Sequence, residues 1–221
     1  MWVQLTSTQY VTDHGVQRTC YPGDWVDIGK QQALLWVSQG SATLPDQGKY
    51  SRLVVGAGAG VLVVSQGDRD QVRAAAEEML SPYPNLAINV SPAPALPFEQ
   101  TAIWDLSVRL RPELIPIGLA LLDKWQVAAP IFDYSRLASH EGDVADRQKT
   151  AAVLPDLRVP LYETGLMFVR RDADTERLID KWAKEREDGG DARHAFLRAL
   201  YTTPLLFLAL PITWTGKQVK A

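Results

Sequence analysis

Cysteine and long hydrophobic runs are scarce in this sequence. Cys20 is the only cysteine among the 221 residues, so no internal disulfide can form, which argues against a disulfide-stapled secreted fold. The start of the chain shows no basic segment followed by an apolar one, and we therefore expect no signal peptide. The longest apolar run near the end, residues 205–210, is far below the roughly 20 residues that cross a bilayer. These absences predict a soluble protein that does not enter a membrane.

Clusters of one charge and of metal-ligating side chains are also missing. Charged residues make up 22% of the chain and the formal net charge is −3, so no general affinity for nucleic acid or an anionic membrane is expected. His14, His140 and His194 have no partners at ligand spacing, and all three are predicted to lie at the surface. No H-E-x-x-H, G-x-S-x-G, P-loop or Cys/His cluster occurs, so none of these short motifs indicates a function.

The first 45 residues are predicted to form a small β-rich module. Within it, Pro22 presets φ for the second position of a turn, and Gly23 supplies the positive φ of the third position. A polar stretch follows, in which residues 46–52 are assigned to a linker, and residues 53–221 form the second domain. The predicted elements of the module are paired strands over 3–5 and 16–20, a strand over 25–28, and a helix over 31–38 that ends near Gly40.

The module carries a pattern with a loose likeness to known proteins. A turn at Tyr21-Pro-Gly-Asp24, a short strand, a short helix and then Gly40-Ser-Ala are similar to small modules on head-region proteins of tailed bacteriophages. This resemblance implies that residues 1–45 dock the chain on phage capsid or neck proteins, with several copies per assembly or a homo-oligomer. Trp2, Trp25 and Trp36 then have two open interpretations, a small core that needs large side chains or a docking face.

From residue 53 onwards, short apolar runs alternate with amphipathic helical patterns. This alternation predicts an α/β domain around a mostly parallel sheet with flanking helices. The loop over 133–160 is long for a compact domain without a function or a hidden helix. The predicted strands are 61–64, 86–90, 102–104, 127–132, 165–170 and 205–210, and the predicted helices include 70–80, 117–125 and 192–201.

Glycines at 56, 58 and 60 invite comparison with a dinucleotide-binding loop. In such a loop the glycines follow a strand and open a helix, so that a pyrophosphate sits on the helix N-terminus. Here the apolar residues 61–64 follow at once, and they read as a strand. The pattern therefore favours a closely packed lead-in to that strand over dinucleotide binding.

The stretch over 161–182 is the strongest single pattern in the chain. A strand over 165–170 is followed by acidic residues that open a helix, and Asp174 is the predicted N-cap. The order Glu163-Thr164-Gly165, apolar strand, helix and Trp182 resembles the late Asn-Thr-Gly strand of nucleotide-sugar glycosyltransferases of the GT-A fold. The likeness extends over about 54–214 and implies a GT-A-like domain.

A second segment supports the same resemblance. Residues 97–107, from Pro97-Phe98 through Thr101 to Asp105-Leu-Ser107, are similar to the strand end where GT-A transferases carry Asp-x-Asp. That motif holds Mn²⁺ or Mg²⁺, which bridges the donor diphosphate and neutralises its developing charge. The resemblance places Asp105 on the first aspartate, as a metal ligand, and the neutral Ser107 on the second.

Asp68 follows the strand over 61–64 and precedes a helix. Ligands of open α/β sheets sit at the carboxyl ends of strands, and in GT-A enzymes the first such turn touches the nucleotide base. By resemblance Asp68 joins Asp105, Ser107 and Glu163 in a nucleotide-sugar cleft. The alternative is that Asp68 caps the helix.

The polar positions of this cleft depart from the family pattern. Ser107 replaces a carboxylate, Glu163 replaces an asparagine, and Arg193-His194 replace acidic and amide groups near a later helix. The resemblance therefore predicts a transferase-like domain without catalysis or cofactor, in a phage structural or decoration protein of the virion that passes through the host cytoplasm during assembly. Two alternatives stay open: an active glycosyltransferase with a nucleotide-sugar donor and Mn or Mg, and a sugar- or nucleotide-binding module without turnover.

Overall fold

The structure is a computed structural model. The chain divides into two compact units, Met1–Val54 and Val55–Ala221. The predicted linker at 46–52 and the glycine at position 56 lie outside the described residues. The structure describes residues 2–13, 16–43, 58–83, 85–109, 111–132, 138–139, 142–154, 156–187 and 191–215.

The first unit is β-rich, as predicted, but its strands pair differently. Strand β1 (Trp2–Leu5) lies between β4 (Trp25–Asp27) and β5 (Ala42–Thr43), antiparallel to both. The prediction that residues 3–5 pair with 16–20 is wrong. Instead β2 (Gln9–Asp13), which was not predicted, forms a hairpin with β3 (Val16–Cys20). Strand β3 pairs with β2 because β2 is its nearest neighbour in the sequence, with Asp13 opposite Val16. Closing so short a loop costs little conformational entropy.

The described residues of this unit also include a helix and a small apolar core. Helix α1 (Lys30–Ser38) corresponds to the predicted helix, and positive φ angles at Gly23 (94°) and Gly40 (70°) confirm the turn and the helix end. Trp36 is only 6% exposed and packs in the core. For this tryptophan the core interpretation is confirmed. The side chains of Trp2 and Trp25 are outside what the structure describes.

The second unit is built on a six-stranded sheet with the order β11-β9-β10-β8-β6-β7. Five strands point one way and β10 points the other way, so three neighbouring pairs are parallel and two are antiparallel. All six predicted strands exist, in a mixed α/β sheet. They are β6 (Ala59–Val64), β7 (Ala87–Ser91), β8 (Gln100–Asp105), β9 (Val127–Pro130), β10 (Leu166–Arg170) and β11 (Phe207–Leu210).

Glycine at position 60 lies inside β6, not in a phosphate-binding turn. A Cβ there would come within 2.6 Å of the Ala87 carbonyl oxygen and of the Phe98 ring. Gly58, with φ of 103°, leads directly into the strand. Residues 58–64 therefore form the closely packed entry to a strand that the sequence favoured.

In the described part of this unit, five helices accompany the sheet. Among them, α3 (Ile115–Leu121) begins two residues before its predicted start, because Pro116 fits the first turn of a helix. Helix α4 (Val144–Ala151) lies inside the long loop over 133–160. None of the helices in the described ranges is long and apolar enough to span a membrane. They are α2 (Arg69–Met79), α3 (Ile115–Leu121), α4 (Val144–Ala151), α5 (Ala173–Glu187) and α6 (Ala192–Tyr201).

Candidate functional site

Two of the predicted site segments meet at one edge of the sheet. The carboxyl ends of β6 and β8 lie there, and so does the amino end of β10, because β10 runs antiparallel to β8. Leu166 is opposite Trp104, and the Asp105 amide donates to the Gly165 carbonyl at 2.8 Å. The structure therefore brings Asp105 next to the Glu163-Thr164-Gly165 turn.

The Asp105 carboxylate is used by its own turn. Its Oδ1 accepts from the backbone N–H of Ser107 at 2.8 Å, and its carbonyl accepts from the Val108 amide at 2.9 Å. This arrangement is an Asx-turn, in which a side-chain oxygen replaces a backbone acceptor. Ser107 is exposed and reaches Asp105 through its backbone. Asp105 remains half-buried at the end of β8.

A small cavity of about 80 Å³ opens beside Asp105. Its lining includes Thr164 from the β10 turn and Trp182 and Arg186 from α5. Trp182 is fixed in place, because its indole N–H donates to the Ala192 carbonyl at 3.0 Å and Phe196 packs edge-on at 5.5 Å. The cavity is thus lined by a carboxylate, a guanidinium and a hydroxyl group, with the Trp182 ring on one side.

Glu163 is buried beside this cavity and participates in the backbone turn. It is 6% exposed, its amide donates to the Pro130 carbonyl at 2.7 Å, and its Oε1 accepts from the Gly165 amide at 3.3 Å. The preceding Tyr162 packs on Phe207 at 4.6 Å, and burial, followed by the nearby Tyr201, raises the pKa of Tyr162 to about 12. Glu163 is not among the described residues that line the cavity.

The sequence allowed two roles for Asp68, a contact to a nucleotide or the N-cap of a helix, and in the structure Asp68 is the N-cap of α2. Its Oδ1 accepts from the Asp70 and Gln71 amides, both at 3.0 Å. These bonds satisfy two of the unpaired donors in the first turn of α2. Asp68 is exposed and is absent from the described lining of the cavity.

The metal assignment of Asp105 stays a prediction. Within the described ranges, no group of three or more His, Cys, Asp or Glu side chains is placed to hold a metal ion. Ser107 takes the place of the second carboxylate that the Asp-x-Asp pattern supplies.

The N-cap of α5 is Asp172, so the assignment of the cap to Asp174 is wrong. Helix α5 begins at Ala173, and the Asp172 Oδ1 accepts from the Asp174 and Thr175 amides at 3.1 and 3.0 Å. Asp174 instead pairs with Arg177 within the helix. The helix starts earlier than expected because the Thr175 hydroxyl donates to the Arg170 carbonyl at 2.6 Å, which holds the end of β10 against the first turn.

Replacing Asp172 by Ala should destabilise the larger unit by about 0.5–2 kcal/mol, because two amides of the first turn lose their acceptor. Asp174→Ala is the matched control and should cost less, since Asp174 accepts no cap bond. Urea unfolding of both variants measures the difference. Equal losses would show that Asp172 is not the cap.

The effect of Asp172 should depend on pH. Partial burial opposes its ionisation, but hydrogen bonds from the Gln126 side chain, Thr175 and the Asp174 amide outweigh it and lower the pKa. A lowered folded-state pKa means that the stabilisation is complete above the ordinary value of about 3.9 and disappears as pH falls through the folded value. The stability gap between the native chain and Asp172→Ala should therefore be full at neutral pH and shrink on acidification. A gap that widens in acid would contradict this sign.

A buried polar network, missed by the sequence analysis, joins α4, α5 and α6. Arg198 is 2% exposed, and its Nε donates to the Glu185 carboxylate at 2.7 Å. Its Nη1 donates to the Thr150 hydroxyl at 3.0 Å and lies 3.6 Å from the Asp146 carboxylate. The only sequence signal was one charged residue inside the apolar run of α6.

The same network corrects the assignment of His194. This histidine is fully buried, not at the surface, and its Nδ1 lies 3.0 Å from the Thr150 hydroxyl. Asp146, also buried, accepts from the Asp191 amide at 2.8 Å. The predicted surface positions of His14 and His140 lie outside the described residues. The network attaches the helix of the long loop to α6, close to the cavity wall at Ala192.

Comparisons with known proteins add no relative. No protein-family model, no curated protein and no solved structure matches the chain.

Proposed function

We propose that the chain is a structural component of a tailed-phage virion, built on a GT-A-like domain that has lost sugar transfer. The observation that supports this most directly is the use of the predicted site carboxylates. Asp68 caps α2, Asp105 closes the turn after β8, and Glu163 accepts from the turn before β10. Each of these carboxylates is hydrogen-bonded to the backbone, whereas a transferase would need a side chain at that position to bind the donor.

Charge at the site agrees with this proposal. A divalent cation needs several hard oxygen ligands, and Ser107 supplies at most a neutral hydroxyl beside Asp105. Without a cation, the Asp105 carboxylate in the cavity repels a diphosphate and offsets the attraction of the Arg186 guanidinium. The cavity of about 80 Å³ is also small against the roughly 300–1,000 Å³ of ordinary ligand pockets.

The first unit supplies the attachment to phage capsid or neck proteins in this proposal. Trp36 is buried in its core and cannot dock, whereas Tyr10 and Tyr21 are 64% and 61% exposed. Tyr10 lies opposite Thr19 in the β2–β3 hairpin, and Thr19 is exposed too. Exposed tyrosines are typical anchors of protein interfaces, where a few aromatic residues carry most of the binding energy.

The proposal is tested by counting copies of the chain in purified particles. Mass spectrometry should find the native chain at a constant copy number per virion, while Tyr10→Ser/Tyr21→Ser should lower that number at least about tenfold. Met79→Ser, at an exposed apolar residue of the larger unit, is the matched control and should leave the number unchanged. A chain that is absent from purified particles would overturn the proposal.

An active glycosyltransferase is the second candidate, because Asp105, Thr164 and Arg186 line one cavity at the sheet edge. In that case Asp105 would hold Mn²⁺ or Mg²⁺ and the guanidinium of Arg186 would face the donor phosphates. A sugar- or nucleotide-binding module would show the same binding without turnover. Binding and turnover measurements separate these candidates from the structural role.

A further inference from the structure

Strand β11 forms an edge of the six-stranded sheet. It pairs with β9 on one side, in parallel, from Phe207 opposite Val127 to Leu210 opposite Pro130. An edge strand presents a row of backbone N–H and C=O groups that can pair with another strand. The position of β11 makes it the candidate for an interaction surface.

The direction of each backbone group on β11 follows from two hydrogen bonds. The carbonyls of Leu206 and Leu210 accept from the amides of Gln126 and Ile131, both at 2.9 Å, so these residues face β9. Backbone groups alternate in direction along a strand. Leu208 therefore also faces β9, and the N–H and C=O groups of Phe207 and Ala209 point away from the sheet.

On the open side of β11, no described strand is paired with it. No described backbone group is hydrogen-bonded to Phe207 or Ala209 across the open side, and Ala209 is exposed. Two large apolar residues beside the strand, Tyr201 and Leu206, are 51% and 56% exposed. An unpaired apolar edge of this kind is a template for strand addition.

Charge around β11 favours a second copy of the same chain as the partner. The sequence has no charged residue from Ala199 to Gly216, so the paired strands themselves bring no like charges together. Lys181 contacts this segment before the strand begins, where its ammonium donates to the Thr202 carbonyl at 2.7 Å. Native sheets commonly place lysines on an open edge to prevent such pairing. Here Pro204 and Pro211 bound the strand and limit the pairing to its own length.

We propose that two copies of this chain pair through β11, antiparallel about a two-fold axis at Leu208, and so join their sheets. In this register Phe207 of one copy is opposite Ala209 of the other. Each such pair exchanges two N–H···O bonds, so the interface has four. A two-fold contact is self-complementary and closes at the dimer. Tyr201 and Leu206 of each copy flank the shared strands and lose exposed apolar surface.

The first measurement is sedimentation of the full chain together with amide hydrogen exchange. The mass should rise from 24.5 kDa towards twice that value over a roughly hundredfold increase in concentration. Exchange at the Phe207 and Ala209 amides should slow in parallel, whereas the Leu208 and Leu210 amides are protected at every concentration. A chain that stays monomeric, or a dimer in which Phe207 and Ala209 exchange at the monomer rate, would overturn the proposal.

Two substitutions at one exposed position provide the matched test. Ala209→Pro removes an outward N–H and no bond within the sheet, which is where an edge strand tolerates proline, and it should weaken dimerisation at least about tenfold. Ala209→Thr keeps the N–H and favours strand geometry, so its dimer should persist. A folded Ala209→Pro dimer of native affinity would contradict the proposal. If that variant does not fold, the exchange of the native chain decides.

Discussion

Arg198→Met should lower the free energy of unfolding of the larger unit by about 3–5 kcal/mol. Removal of the guanidinium leaves the carboxylate of Asp146, which is 5% exposed, buried without its cationic partner, and a stranded buried charge costs that much. Such a loss is a large fraction of the roughly 5–15 kcal/mol that stabilises a typical domain. Chemical denaturation monitored by tryptophan fluorescence measures the change.

Two further variants test the reason for this loss. Arg177→Met removes an exposed partner of Asp174 and should cost at most about 1 kcal/mol. Arg198→Met/Asp146→Leu removes both buried charges and should recover part of the stability, since an apolar pair can replace a buried ion pair. If Asp146→Leu lowers the free energy of unfolding further in the Arg198→Met background, the buried-charge explanation is wrong.

Phe168→Ala should also destabilise the larger unit by about 3–5 kcal/mol, because it opens a cavity in the centre of the sheet. Phe168 is fully buried, and its ring packs edge-on against Trp214 at 5.4 Å. On its other side the ring touches α3, where a Cβ at Gly118 would come within 2.2 Å of the Phe168 ring. Thermal and denaturant unfolding give the magnitude.

The contact with Gly118 provides the control for Phe168→Ala. In the native chain Gly118→Ala should cost about 1–3 kcal/mol by overpacking. In the Phe168→Ala background the same methyl group meets empty space and should be neutral or stabilising. Residues in direct contact are coupled in this way. Additive losses in the double variant would show that Gly118 and Phe168 do not share one packing site.

The strands of the larger unit could be predicted because apolar runs bounded by turn residues are a local signal. The antiparallel direction of β10 could not, since pairing is decided by contacts between distant segments such as Leu166 and Trp104. In the first unit, β2 escaped prediction because its alternation is weak: Tyr10 points out and only Val11 is buried among the described side chains of its centre. The cap of α5 was displaced from Asp174 to Asp172 by the tertiary bond from Thr175 to Arg170.

The candidate site was predictable in position but not in composition. Motif order placed Asp105 and Glu163 at the same sheet edge, where the structure has them. Nothing local to Asp105 showed that its carboxylate would close its own turn. The residues that line the cavity with Asp105 include Trp182 and Arg186, which come from a helix far along the chain. Likewise, Arg198 is hydrogen-bonded to Thr150, which is 48 residues away in the sequence. Such partners are set by packing and leave little trace in a single sequence.

The proposed function requires that the site carboxylates hold the backbone and do not bind a donor. Isothermal titration calorimetry of the full chain with Mn²⁺ and a UDP- or GDP-sugar tests it most directly, with Asp105→Asn as the control for any heat that depends on the site. We expect no binding tighter than millimolar, and the same heats for the native chain and Asp105→Asn. Micromolar, metal-dependent binding that Asp105→Asn abolishes would contradict it and support the transferase.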